Sequence, residues 1–272
     1  MQRFPFRWWI ALVLLGIATA SPSTAIADER VTFASAAPRN ASDVPRRTAR
    51  IDGYLTRPKG SGPFPAVVVL HSCLGLRADR AAMAKLLAGW GYVGLFVDDF
   101  ATRGLMETCA VDFPEGVADA FGALGYLAGL PDVDKDRIAV IGYSQGGDTA
   151  LRVAVGSSAA GFALPQTLRF KAAAAFYPPC GNLAGAAIRL PTLILIGAAD
   201  TITPAAQCQQ LAGGPPAGKA KLVIYPNAGH VFDDPAFAGG RSVQGMWLEF
   251  NARAAAQSRS ALHDFLAAEL KQ

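Results

Sequence analysis

The chain has 272 residues and is 51% hydrophobic, enough to bury the core of one large domain or two small ones. Its formal net charge of +4 falls to +2 once Arg3 and Arg7 are removed with the first 27 residues. That balance is too weak and too scattered to point to nucleic acid or an anionic surface as a partner.

Residues 1–27 read as a signal peptide. Arg3 and Arg7 form a positive n-region, Trp8 to Ala18 a short apolar h-region, and Ala25-Ile26-Ala27 a small-x-small cleavage site before Asp28. Ala18-Thr19-Ala20 is an earlier alternative site. The competing reading is an uncleaved anchor, but the apolar run is well short of the about 20 residues that a span needs. The mature chain is therefore expected to be soluble and exported, periplasmic or secreted, with no stable membrane span. Cys73, Cys109, Cys180 and Cys208 make an even number, which in an exported chain indicates disulfides and allows three pairings. Four buried free thiols are the alternative. No spacing is CxxC, so a zinc site is not expected.

Residues 28–50 are polar, carry Pro38 and Pro45, and read as an extended lead-in. From residue 51 strands and helices alternate. The stretch 49–58 reads as a strand, and 64–72 (FPAVVVLHS) is a continuous apolar strand, too hydrophobic to face water on either side. Residues 80–91 have helical spacing at Met83, Leu86, Leu87 and Trp90 and stop at Gly91. A buried strand (92–100), a helix with proline near its start (114–130) and a strand (137–144) leading into a helix follow. Strands over 171–178, 191–200 and 220–226, a helix over 204–213 and a terminal amphipathic helix over 259–270 complete the pattern. Fully apolar strands alternating with helices predict a single α/β domain over 51–272. It has a mostly parallel sheet of seven or eight strands with helices on both faces.

In such sheets functional residues gather beyond the carboxyl ends of strands. Here those positions hold His71-Ser72-Cys73, Asp98-Asp99, Ser144, Tyr177-Pro178, Asp200 and His230. Ser144 sits in Gly142-Tyr143-Ser144-Gln145-Gly146-Gly147, a strand-to-helix corner whose glycines leave room for a strained, exposed serine. A serine hydroxyl needs a base, and the base needs a group to orient it. The chain has three histidines. His263 lies in the terminal helix and reads as a surface residue. His71 reads as shaping the loop that follows it, which leaves His230, after the last strand, as the base. Asp200 ends a strand and can orient that imidazole, the lesser alternative being a cap on the helix beginning near Thr203-Pro204. The corner places the Gln145 N–H at a helix start, facing a developing oxyanion. A second donor is expected from the loop after the 64–72 strand: Cys73, with Ser72 and Leu74 as alternatives.

The order Ser…Asp…His and the GxSxG corner are those of the α/β-hydrolase fold. From about Tyr54 to Leu270 the chain resembles the dienelactone hydrolase family. The resemblance is carried by GPFPAVVVLHSCLGL, LAGWGYVGLFVDDFATRG, YLAGLPDVDKDRIAVIGYSQGG, TLILIGAADTITP and NAGHVFDDP. It implies Ser144 as nucleophile, Asp200 as acid, His230 as base, and oxyanion donors at Cys73 and Gln145. The type enzymes of the family carry cysteine as nucleophile and a glutamate where this chain has Ser72, a loss that fits a serine enzyme. They also hold a substrate carboxylate with two arginines. Arg103 matches one, but the other falls near Asp234, of the wrong sign. A general carboxylester, with lactones a further option, is thus expected over a dienelactone. On this fold the cysteines are expected to pair as Cys73–Cys109 and Cys180–Cys208.

The expected function is two-step acyl transfer from a small-molecule ester to water, without cofactor or metal. Arg103, Met106, Phe176, Tyr177 and Phe232 are candidate pocket residues, and residues 235–255 follow the catalytic histidine and are a candidate cover. A peptidase or amidase, an acyltransferase of the same fold, and a non-catalytic hydrolase-like binding protein are the alternatives.

Overall fold

A computed structural model describes residues 1–2, 28–39, 49–156, 161–165, 167–214 and 218–271. Apart from its first two residues, the expected signal peptide lies outside the described residues.

The strands are β1 (Glu29–Ala34), β2 (Arg50–Thr56), β3 (Phe64–Leu70), β4 (Val93–Asp98), β5 (Val133–Tyr143), β6 (Ala172–Phe176), β7 (Thr192–Gly197) and β8 (Ala220–Tyr225). They form one eight-stranded sheet in the order β1-β2-β4-β3-β5-β6-β7-β8. β2 is antiparallel to both β1 and β4, and every other pairing is parallel. The long apolar runs explain this arrangement, because alternate residues of one strand enter different cores. Val68 and Leu70 face one side of the sheet, against α2 (Gly116–Ala128), α3 (Gln145–Gly156) and α4 (Ala205–Ala212). Val67 and Val69 face the other, against α1 (Arg80–Gly89) and α5 (Ala252–Leu270). The sheet is buried on both faces, as its composition predicts.

Three elements differ from the sequence reading. The lead-in is part of the sheet: β1 pairs with β2 from Glu29↔Leu55 to Ala34↔Arg50 and buries Val31 and Phe33 on its inward side. The terminal helix begins earlier, at Ala252, where the Asn251 side chain accepts the Ala254 N–H at 3.0 Å. Residues 241–248 form a short hairpin, β9 (Arg241–Val243) and β10 (Met246–Leu248). Its turn holds Gln244 and Gly245 at φ 51° and 79°.

The chain moves from β3 to β4 on one side, then crosses back past β3 to β5. The carboxyl ends of β3 and β5 therefore meet where the strand order reverses, the place where open α/β sheets form crevices. Among the described residues no helix is long and apolar enough to cross a membrane.

Candidate active site

β5 ends at Tyr143 and α3 starts at Gln145, so Ser144 alone makes the turn. Its φ is 51°, a region that costs a non-glycine residue about 1–3 kcal/mol. The neighbours hold it there. Ser144 N donates to Phe176 O at 2.9 Å, and Asp148 N donates to Ser144 O at 2.9 Å. The corner closes so tightly that a Cβ at Gly142 would run into Gly146 O. One at Gly146 would meet Leu70 O at 2.6 Å, so the start of α3 rests directly on the end of β3.

Asp200 follows β7 and His230 follows β8. Ala199 N donates to Ala228 O at 2.9 Å and ties their two loops together. His230 Nε2 lies 2.9 Å from Ser144 Oγ, and His230 Nδ1 lies 2.8 Å from Asp200 Oδ2. Asp200 does not cap the helix, because α4 starts at Ala205 after Pro204 with no side-chain cap bond; its Oδ1 instead closes the turn before it, accepting the Ile202 and Thr203 N–H groups, both at 2.9 Å. The imidazole and the turn thus use different oxygens of one carboxylate. Burial opposes the charge on Asp200, but the bonds from His230 and Thr203 outweigh it and hold its pKa below the usual value of 3.8. Val231, next to the histidine, is β-branched yet sits at φ 59°, a second strained residue at this corner.

Ser144, Cys73 and Gln145 line one cleft of about 670 Å³. Among the described residues neither the Cys73 nor the Gln145 backbone N–H donates to a protein acceptor. The carbonyl of Cys73 is held, by the Thr108 N–H at 2.9 Å. The Thr108 hydroxyl donates to Gln145 Oε1 at 2.8 Å, so one buried threonine braces both residues. The next residue, Cys109, is bonded to Cys73, and Cys180 is bonded to Cys208.

Sequence reasoning missed Thr108 and Thr203. Thr203 Oγ1 lies 2.8 Å from Asp200 Oδ2 and 3.2 Å from His230 Nδ1. Its position three residues after a strand-end aspartate was a readable sign of an Asx-type turn. Nothing in the sequence pointed to Thr108.

The candidate pocket residues are placed elsewhere. Arg103 pairs with Asp119 at 2.9 Å and donates to Asp99 O at 2.6 Å, behind the β4 end, so its charge is already used. Met106 is 89% exposed and is not among the residues lining the cleft. Phe176 and Phe232 are fully packed core side chains. Tyr177 stands behind the imidazole of His230, with ring centroids 4.7 Å apart, and donates its hydroxyl to Asp233 at 2.8 Å. The cleft is lined instead by residues such as Val111, Phe113, Val117, Ile202 and Met246, together with the charged Asp148 and Arg152. Met246 is the contribution of the 235–255 segment, which is tied back through Asn251 N to Phe232 O at 2.8 Å. His263 lies on the surface, against Trp90. Among the described residues no group of three His, Cys, Asp or Glu side chains is arranged to hold a metal ion.

Residues 51–270 match the dienelactone hydrolase family. The chain belongs to that family. It is similar to an uncharacterized protein of Mycobacterium tuberculosis, 32% identical over 206 residues and 71% of each chain. Similarity to cutinase 2 of Thermobifida cellulosilytica is 28% over 158 residues, covering 56% of this chain and 54% of the cutinase. The fold matches that of P91, a dienelactone hydrolase-like promiscuous phosphotriesterase from metagenomic libraries. The TM-score is 0.66 at 22% identity, over 88% of this chain and 98% of the other.

Proposed function

We propose that the protein is an exported serine hydrolase that cleaves carboxylic esters through an acyl-enzyme on Ser144. The observation that carries this reading is the continuous relay from Ser144 Oγ to His230 Nε2, and from His230 Nδ1 to Asp200 Oδ2. In the first step Ser144 Oγ attacks the ester carbonyl as its proton passes to His230 Nε2. Asp200 holds the Nδ1–H tautomer and stabilises the imidazolium that forms. The carbonyl oxygen becomes an oxyanion, to which the Cys73 and Gln145 N–H groups donate. Such a donor is worth about 3 kcal/mol of barrier. Collapse returns the proton from His230 to the leaving alcohol. Water then gives its proton to the same nitrogen and attacks the acyl-serine, and His230 returns that proton to Ser144 Oγ as the acid is released.

The family membership and the similarity to a cutinase support an ester as substrate. Two disulfides, together with the N-terminal sequence, support export. The surroundings of the cleft support an apolar substituent on the ester. Met1 aside, the exposed large hydrophobic side chains among the described residues are Leu105, Met106, Val111 and Trp247. They lie on the two segments that supply Val111 and Met246 to the cleft.

The test is hydrolysis of p-nitrophenyl esters from acetate to decanoate by the mature protein. Turnover is expected, with kcat/KM rising beyond acetate as the acyl chain covers more of the apolar wall. Absence of turnover across the whole series would contradict the reading.

A further inference from the structure

His71 follows β3, and both of its ring nitrogens face acceptors. Nδ1 lies 2.7 Å from Ser72 O. Nε2 lies 2.7 Å from Asp99 Oδ1, at the end of the neighbouring strand β4. The second approach is a close ion pair and not an aligned hydrogen bond. A proton on Nε2 turns a lone pair set against a carboxylate oxygen into an attraction, so the two contacts favour a ring with a proton on each nitrogen. The pair is buried, with side chains 5% and 8% exposed, and the Phe100 ring packs edge-on against the imidazole at 4.3 Å.

The peptide that His71 grips is the one that matters. Ser72 O and the Cys73 N–H belong to the same planar unit, and in a trans peptide they point in opposite directions. A donor fixed on the carbonyl therefore fixes the direction of the amide. Gly75 N also donates to Ser72 O, at 3.0 Å, and Thr108 N holds the next carbonyl. We propose that His71, as a buried imidazolium paired with Asp99, is a positioning residue that aims the Cys73 N–H at the oxyanion of the ester reaction. The inference rests on the serine-hydrolase reading above.

The charges around the ring favour its protonated form. Burial opposes the charge, but Asp99, the Ser72 carbonyl and the more distant Asp98 outweigh it and raise the His71 pKa above 6.5. Beyond Asp99 stand Arg103 and Asp119, which pair with each other. Arg77, Asp79 and Arg80 lie across a small cavity on the α1 side. On the α3 side Gln145 and Thr149 bring no charge. A folded-state pKa raised above 6.5 means that the contribution is complete below that pH. It is lost as the pH rises through the folded value.

The test compares wild type, His71→Leu and His71→Asn on a p-nitrophenyl ester and on its thionoester, whose sulfur accepts hydrogen bonds poorly. Loss of an oxyanion donor costs about 10²–10³-fold in kcat, and misaiming one is expected to cost part of that. His71→Leu should lower kcat for the ester about 10–100-fold with KM little changed, and leave the thionoester rate much less affected. His71→Asn, which keeps a side-chain donor, should recover part of the ester rate. The wild-type ester rate should also fall on the alkaline side, and that limb should be absent in His71→Leu. Equal losses on ester and thionoester in a folded variant, or no loss on either, would overturn the inference. An inactive wild type would instead overturn the hydrolase reading itself.

Discussion

Ser144→Ala is expected to lower kcat on p-nitrophenyl esters by about 10⁶-fold. The size follows from the relay. His230 and Asp200 act on the substrate through the serine hydroxyl, so without it neither has a proton to move in the first step. The fold should survive. The substitution deletes the 2.9 Å bond to His230 Nε2, and one hydrogen bond is worth about 1 kcal/mol of stability. Circular dichroism and thermal unfolding of the variant therefore separate lost chemistry from lost structure. A folded variant that keeps wild-type turnover would show that the ester is cleaved elsewhere on the molecule.

Asp200→Asn should cost about 10⁴-fold in kcat, because it reverses the polarity of the bond to the imidazole. An asparagine carbonyl can still accept the Ile202 and Thr203 N–H groups in place of Oδ1, so the loop keeps its turn. Its NH₂ group then faces His230 Nδ1 and favours the tautomer with the proton on Nε2. That proton points at Ser144, and the base is gone. KM should change much less than kcat. The same carboxylate contributes to stability with a defined sign. Its folded pKa lies below 3.8, so the contribution is present above pH 3.8 and is lost as the pH falls through the folded value. Acid unfolding of Asp200→Asn should therefore depend less steeply on pH below 3.8 than that of the wild type. A variant with near-normal kcat would remove Asp200 from the mechanism.

The site was readable where local chemistry and strand ends coincide. Apolar runs such as those of β3, β5 and β7 admit only a doubly covered sheet, and their carboxyl ends lead directly into His71, Ser144 and the loop of Asp200. The corner at Ser144 was legible because its glycines have a steric reason that the structure shows atom by atom. What sequence could not supply is the direction of a side chain. Phe176 and Phe232 stand at the expected strand end and after the expected histidine, yet they point into the core. Arg103 is spent on Asp119, a partner 16 residues away. β1 was hidden for a different reason. Its inward residues Val31 and Phe33 alternate with polar ones at a sheet edge, so average composition reads as a linker while the period of two reads as a strand. The β9–β10 hairpin has three-residue strands, too short for any period to emerge. His71 was legible as a loop-shaping residue. Its partner Asp99 was not, because the pairing is set by the parallel alignment of β3 and β4 and not by sequence distance.

The measurement that bears most directly on the central claim is covalent labelling of the mature protein with a p-nitrophenyl phosphonate ester. Attack by an activated serine displaces p-nitrophenolate and leaves a stable phosphonyl-serine that mimics the tetrahedral intermediate. Intact mass, p-nitrophenolate release and peptide mapping report the stoichiometry and the position together. The account predicts one adduct per chain, on Ser144, with ester hydrolysis lost in proportion to labelling. An adduct on another residue with the Ser144 peptide unmodified, or a folded and esterolytic protein that forms none, would contradict it.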